Sequence, residues 1–137
     1  MKEEISKNNE SLINILTAAA GFPSPAENYI EEYLDLNKYL INNLESTFFI
    51  RVSGNSMNNT GINNNDLLIV DKSLVPKNQS IIVVSLNGEL IIKRFLKDKS
   101  GNCYLKSENK NYPKIKLSSE MNPVIWGVVT YVIHKLS

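Results

Sequence analysis

The dipeptide Asn87-Gly88 is the sequence feature that most restricts the fold of this chain. It separates two apolar runs rich in β-branched residues, SIIVVSL at 80–86 and ELIIKRFL at 89–96. Asn-Gly accepts the positive φ angles that a two-residue hairpin turn requires, so the two runs are predicted to pair as adjacent antiparallel strands. The dipeptide therefore predicts a β-hairpin in the second half of the chain.

Further short runs of strand-like composition surround this hairpin. Two of them precede it, TFFIRVSG at 47–54 and DLLIV at 66–70, and both are rich in aromatic or branched apolar residues. The segments CYLK and KIKL follow it, and the run PVIWGVVTYVIHKL closes the chain. Many short strands with turn residues between them predict a mostly β fold.

The segment SLINILTAAA, at 11–20, differs from these strands because its apolar residues fit one face of a helix. The apolar residues are Leu12, Ile13, Ile15 and Leu16. With Ser11 as a possible N-cap, the segment is predicted to be helical. Gly21, Pro23 and Pro25 then favour an extended path over residues 21–34.

A short second helix is predicted next, with Asp35 as its N-cap and with three residues at helical spacing, Leu36, Tyr39 and Leu40. We therefore divide the chain into three parts. Residues 1–20 form an N-terminal arm, residues 21–46 an extended linker with a short helix, and residues 47–137 a β-rich domain.

Charge and cysteine content exclude several classes of function. Fifteen basic and fourteen acidic residues leave a net charge of +1, so the basic excess of a typical DNA-binding protein is missing and no direct sequence-specific DNA binding is predicted. The single cysteine cannot form an internal disulfide, which favours a reducing compartment. We find no metal-ligand spacing, no phosphate-binding loop and no apolar run of membrane-spanning length, and therefore predict no cofactor, no metal and no membrane. Three early glutamates and the short LINIL run argue against a signal peptide.

The segment SGNSM, at 53–57, is the first candidate for catalysis because it directly follows a predicted strand. Gly54 permits a tight turn, which would present Ser56 at the strand end beside backbone N–H groups that can stabilise an oxyanion. A serine in a glycine-containing turn is also a common turn residue, so this signal alone is weak. A serine nucleophile moreover needs a base.

Lys93 is the candidate base. Successive residues of a strand point to opposite faces, so either Lys93 or Arg94 must lie on the face that is turned toward the core. The alternative is that the strand lies at the edge of the sheet and that both charged groups reach water. A lysine with a pKa of about 10.4 is neutral in about one molecule in 2,500 at pH 7, and lowering that pKa to about 7 requires roughly 4–5 kcal/mol. Burial among Ile, Leu and Phe side chains can supply a shift of that size. We identify no carboxylate partner for His134, the only histidine.

Four segments, in this order, resemble the LexA/UmuD-like family of self-cleaving Ser-Lys proteases: AAGFPSPAENYIEEYLDLNKYLI, SGNSMNNTGINNNDLLIVD, IIKRFL and NPVIWGVV. The resemblance implies a β domain like that of the LexA C-terminal part and of signal peptidases, with a flexible N-terminal arm. It further implies Ser56 as nucleophile, Lys93 as general base and a scissile bond between Ala20 and Gly21. The backbone N–H groups of Asn55 and Ser56 would form the oxyanion hole.

The same resemblance implies a biological role, the accessory subunit of an error-prone translesion DNA polymerase in the cytoplasmic SOS response. Implied partners are a second copy of the chain, a RecA–single-stranded DNA filament that stimulates cleavage, and a Y-family (UmuC-like) polymerase subunit. The alternatives are a catalytically silent β module that docks on a polymerase, a LexA-like repressor and a type I signal peptidase. Only twenty residues precede the Ala-Gly bond, too few for a repressor's DNA-binding domain, and a signal peptidase would need a membrane anchor.

Overall fold

The structure is a computed structural model that describes residues 12–16, 18, 20–21, 30–109 and 111–137. The chain divides into two compact units, residues 1–42 and 43–137. Most of the predicted flexible arm lies outside the described residues. So do the predicted N-cap Ser11 and the two prolines predicted to keep the chain extended, Pro23 and Pro25.

The described part of the first unit is a two-stranded sheet followed by a helix. Strand β1 (Leu12–Leu16) pairs antiparallel with β2 (Ile30–Asp35), and helix α1 (Leu36–Leu40) follows. The predicted helix over 11–20 is therefore wrong. A short apolar run fits both the helical and the strand period. Here the run forms a strand because β2, which is distant in sequence, provides the backbone with which β1 pairs.

Helix α1 confirms the second predicted helix and its cap. The Asp35 side chain accepts a hydrogen bond of 3.1 Å from the backbone N–H of Asn37, as an N-cap residue does. The backbone of Asp35 is extended, so the chain changes from strand to helix within one residue.

The second unit contains a seven-stranded antiparallel sheet, which confirms the mostly β prediction. Its strands are β3 (Thr47–Arg51), β4 (Leu67–Asp71), β5 (Ile81–Leu86), β6 (Glu89–Lys97), β7 (Cys103–Lys106), β8 (Ile115–Lys116) and β9 (Val124–Ile133). Their order across the sheet is β3-β4-β9-β5-β6-β7-β8. Three short 3-10 turns lie at Leu44–Ser46, Asn58–Thr60 and Ser119–Met121.

The hairpin predicted from Asn87-Gly88 joins β5 to β6. Leu86 and Glu89 face each other across it, and both turn residues have positive φ, 50° at Asn87 and 83° at Gly88. Strand β6 pairs with β5 on one side and β7 on the other. It is therefore an interior strand, and the alternative in which Lys93 and Arg94 lie on an exposed edge is wrong.

Apolar side chains cover both faces of the central strands. Val83 belongs to a cluster with Val52, Met57, Ile62, Leu68 and Val70. Its neighbours in β5 belong to a second cluster, composed of Ile82, Val84, Phe95 and Leu105. Because successive strand residues point to opposite faces, β5 is buried on both sides and β6 is packed beside it. This packing gives Lys93 a fixed and largely apolar setting.

Candidate active site

Ser56 and Lys93 line the same cavity of the second unit, which has a volume of about 390 Å³. The cavity is lined by residues 50–54, 56 and 57, by Ile62 and by residues 89–93 of β6, whereas Asn55 is not part of the lining. Much of the lining is apolar, with Ser53, Ser56 and Lys93 among its polar side chains. Such a mixture suits a peptide segment whose side chains need apolar contacts while a polar group acts on the backbone.

The loop that carries Ser56 is held on the β4 side. The Val52 N–H donates to the Asp66 carbonyl at 2.8 Å, and the Gly54 N–H donates to Asn64 Oδ1 at 2.9 Å. Gly54 has a φ of 102°, the left-handed region that glycine tolerates best. Met57, directly after Ser56, is buried. The half-buried Ser56 therefore lies between the hydrogen-bonded Gly54 and the buried Met57.

The segment after β7 holds the same loop from the opposite side. The Asn109 N–H donates to the Ser56 carbonyl at 3.0 Å, and the Asn109 side chain donates to the Asn55 carbonyl at 3.4 Å. The Tyr112 hydroxyl reaches Asn55 Oδ1 at 3.5 Å. Within the described residues, the N–H groups of Asn55 and Ser56 donate no hydrogen bond, so the predicted oxyanion donors keep their capacity.

Lys93 is placed by the register of β6 with its two neighbours. Ile82 of β5 lies opposite Lys93 on one side. On the other side Phe95 faces Leu105, and the same register continued by two residues brings Ser107 opposite Lys93. Lys93 Nζ donates to Ser107 Oγ at 2.5 Å and lies 5.3 Å from the centroid of the Tyr112 ring.

Burial lowers the pKa of Lys93 below its ordinary value, because removal from water disfavours the ammonium form. A lowered pKa increases the neutral fraction at neutral pH, which is what a general base requires. The direction of the shift agrees with the apolar surroundings predicted for this lysine from LIIKRFL.

Two serines compete for the role of nucleophile, because the hydrogen bond of Lys93 goes to Ser107 and not to Ser56 among the described residues. Ser107 is only 4% exposed and is not part of the cavity wall, whereas Ser56 is half-buried and lines the cavity. A substrate can therefore reach Ser56 but not Ser107. Hydrogen bonds between catalytic groups are often long or absent until substrate binds, so the present partner of Lys93 does not exclude Ser56.

The predicted scissile residues belong to the other unit. Ala20 and Gly21 lie in a bend and are both exposed. A methyl group added at Gly21 would meet no atom within 4 Å, so the backbone there is open to close approach.

His134 serves a structural contact away from this cavity. Its Nδ1 lies 2.5 Å from Asp66 Oδ1, and Asp66 is 2% exposed. Burial alone would raise the pKa of Asp66, but hydrogen bonds from Asn63 and His134 outweigh it and lower that pKa. In the part of the chain that the structure describes, no group of three or more His, Cys, Asp or Glu side chains is placed to hold a metal ion. Nor does any described helix have the length and apolarity needed to cross a membrane.

Sequence comparison identifies proteins that are similar to this chain. Residues 12–130 match the Peptidase S24-like family. Protein ImpA of Salmonella typhimurium is 42% identical over 116 residues, which cover 85% of this chain and 78% of ImpA. Protein SamA of Salmonella typhimurium strain LT2 is 43% identical over 117 residues, covering 85% and 79% of the two chains. Protein MucA of Escherichia coli is 40% identical over 114 residues, covering 82% and 77%.

Proposed function

The chain belongs to the Peptidase S24-like family, and we propose that Ser56 and Lys93 form a Ser-Lys dyad that cuts the chain's own bond between Ala20 and Gly21. The observation that carries this proposal is the shared cavity, which is lined both by a half-buried serine, Ser56, and by a lysine of lowered pKa, Lys93. A serine becomes nucleophilic only beside a base, and a neutral lysine amine is such a base.

The reaction proceeds in two balanced steps. The neutral Lys93 amine takes the Ser56 hydroxyl proton while Oγ attacks the Ala20 carbonyl carbon, and the N–H groups of Asn55 and Ser56 stabilise the resulting oxyanion. The Lys93 ammonium then gives its proton to the Gly21 nitrogen as the peptide bond breaks, which leaves an ester on Ser56. In the second step Lys93 takes a proton from water while the water oxygen attacks the ester carbonyl carbon, and the Lys93 ammonium then returns this proton to Ser56 Oγ as residues 1–20 leave with a new carboxyl terminus.

Ser107 acts as a positioning residue in this scheme. By accepting one N–H of Lys93, its buried hydroxyl fixes the direction of the side chain. The lone pair of the neutral amine then remains available for the Ser56 proton. Ser107 was missed in the sequence because it lies in a polar segment, KSENKNY, that carries no catalytic pattern.

The relatives support the proposal of a wider role. ImpA, MucA and SamA are UmuD-like proteins, which supports a role of this chain in SOS mutagenesis. In this role, a RecA–single-stranded DNA filament stimulates the cleavage, and the shortened chain, as a homodimer, joins a Y-family DNA polymerase subunit. Cleavage is then the switch that converts the chain into its mutagenesis-active form.

The intact mass of the purified protein tests the cleavage. At alkaline pH, where more Lys93 is neutral, we expect a fragment beginning at Gly21, and RecA filaments should produce the same fragment near neutral pH. Ser56→Ala and Lys93→Met should abolish it. The matched controls Ser100→Ala and Lys97→Met alter exposed residues outside the cavity wall and should cleave normally. Persistence of the fragment in Ser56→Ala would assign the cut to an outside protease, and failure of every form to cleave would favour the catalytically silent docking module.

A further inference from the structure

Positive charge is concentrated in one segment although the chain as a whole is nearly neutral. Residues 94–116 contain seven basic and two acidic residues, a net charge of +5, whereas the complete chain carries +1. The described part of this segment forms the second half of β6 and strands β7 and β8, at one end of the sheet. One end of the sheet is therefore strongly basic although the net charge of the whole chain is close to zero.

Strand register brings several of these basic residues onto one face. Arg94 of β6 lies opposite Lys106 of β7, and Tyr104 of β7 lies opposite Lys116 of β8. The β7–β8 register continued by one residue brings Lys114 opposite Lys106. Cross-strand partners share a face of the sheet, and so do residues two apart in one strand. We call this set, Arg94, Tyr104, Lys106, Lys114 and Lys116, the basic face.

The reverse side of the same three strands packs into the core. Phe95 and Leu105 are buried there, and Ile115 packs against them. The side chains of Lys106, Lys114 and Lys116 are exposed by contrast. The core thus fixes the strands from one side and holds the cations of the basic face toward solvent on the other.

Most of the positive charge of the basic face is not neutralised by other residues that the structure describes. Arg94 pairs with Glu108, but among the described residues no carboxylate lies within ion-pair distance of Lys106, Lys114 or Lys116. Lys114 Nζ lies 4.4 Å from the centroid of the Tyr104 ring, a cation–π contact that leaves the charge in place. Like charges at directly opposite positions repel each other, so an anionic ligand would relieve this repulsion.

We propose that the basic face binds the phosphate backbone of single-stranded DNA, irrespective of its sequence. Neighbouring strands are about 4.8 Å apart, so cations on three adjacent strands form a row about 10 Å long, which can follow two or three successive phosphates of a flexible strand. A basic surface with an aromatic ring beside it is the combination that single-strand binding proteins use. The proposal does not depend on the cleavage reaction, because no residue of the basic face lines the cavity.

Fluorescence anisotropy of a labelled oligothymidylate of about 16 nucleotides tests the proposal on the full-length Ser56→Ala protein, which keeps the chain intact. Three lysine–phosphate contacts predict a slope of about −2 for the logarithm of affinity against the logarithm of salt concentration, or a loss of about 20-fold between 50 and 200 mM salt. The combined change Lys106→Gln, Lys114→Gln and Lys116→Gln should weaken binding at least tenfold and remove most of this slope.

The matched control changes three lysines elsewhere in the same unit, Lys72→Gln, Lys77→Gln and Lys135→Gln, and so alters net charge equally. Binding in the control should stay within about twofold to threefold of the parent protein. Equal loss in both triple variants would overturn the proposal, since net charge alone would then explain binding. Stronger binding to polyglutamate or to anionic vesicles than to the oligonucleotide would also overturn it. The single variant Lys116→Gln changes one exposed residue and should lose part of the oligonucleotide affinity. It keeps the test valid if the triple variant does not fold.

Discussion

The setting of Lys93 makes Ile82 the most informative position for substitution. Ile82 is the β5 partner of Lys93 and is 0% exposed. Ile82→Thr would insert a hydroxyl beside the lysine where the wild-type chain has only a hydrocarbon surface. A hydrogen bond to a charged group is worth about 1.5–3 kcal/mol, and it favours the ammonium over the amine. At about 1.36 kcal/mol per unit, the pKa of Lys93 should rise by about one to two units.

The measurable consequence is a displaced pH profile of self-cleavage. Below the pKa of Lys93, the neutral fraction sets the rate, so Ile82→Thr should cleave about 10- to 100-fold more slowly than the wild-type protein. Above both pKa values the two proteins should cleave at nearly the same rate. Intact mass recorded over time at a series of pH values gives both the midpoint and the plateau.

Ile82→Val is the matched control because valine and threonine have the same shape and both lack the same methyl group of isoleucine. It should destabilise the chain by about 0.5–1.5 kcal/mol and leave the midpoint of the pH profile unchanged. If Ile82→Thr and Ile82→Val slow cleavage by the same factor at every pH, the loss comes from packing. Burial of Lys93 in an apolar setting would then not be the source of its lowered pKa.

Three further substitutions test other parts of the structure. Ser107→Ala removes the acceptor of the Lys93 hydrogen bond, so the cleavage plateau should fall and the pH midpoint should move downward; an unchanged midpoint would mean that Ser107 is merely structural. Gly127→Ala would place a methyl group 2.7 Å from Val70 Cγ1 and 2.9 Å from the Asp71 carbonyl oxygen. The free energy of unfolding should therefore fall by about 1–3 kcal/mol, measured as a lower midpoint of urea denaturation. An unchanged midpoint would show that β4 and β9 separate easily. Hydrogen bonds from Ser73, and then from Ser46, lower the pKa of Asp71, so its contribution to stability is present above about pH 4 and is lost as the pH falls through the folded-state value. Asp71→Asn should therefore flatten the acid limb of the stability profile, and an unaltered limb would exclude Asp71 as its source.

Local sequence was sufficient for most of the second unit. The Asn87-Gly88 turn fixes its hairpin through positive φ angles, and branched apolar runs such as TFFIRVSG and DLLIV form strands wherever a paired neighbour exists. Asp35 could also be identified as an N-cap, because the hydrogen bond that it accepts comes from a residue two positions away. In each case the decisive interaction lies within a few residues of the sequence signal.

Features that depend on distant partners were not predictable in the same way. The run LINIL forms a strand only because residues 30–35 pair with it, and the run itself fits a helix equally well. Ser107 meets Lys93 through the register of β6 with β7, fourteen residues apart in sequence. The basic face also arises from register, which unites charges that alternate with apolar residues along each strand.

The segment from Ser107 to Tyr112 connects the two halves of the candidate active site. Ser107 holds Lys93, and Asn109 holds the carbonyl of Ser56. Tyr112 contacts both sides, since its ring lies beside Lys93 Nζ and its hydroxyl reaches Asn55. A displacement of this one segment would therefore change the positions of Lys93 and Ser56 together. Strand β7 precedes this segment and β8 follows it. A ligand on the basic face would therefore bind the two strands between which the segment is held. Binding at that face and the alignment of Ser56 with Lys93 are for this reason expected to be coupled, and oligonucleotide binding should alter the rate of the proposed cleavage of the wild-type chain.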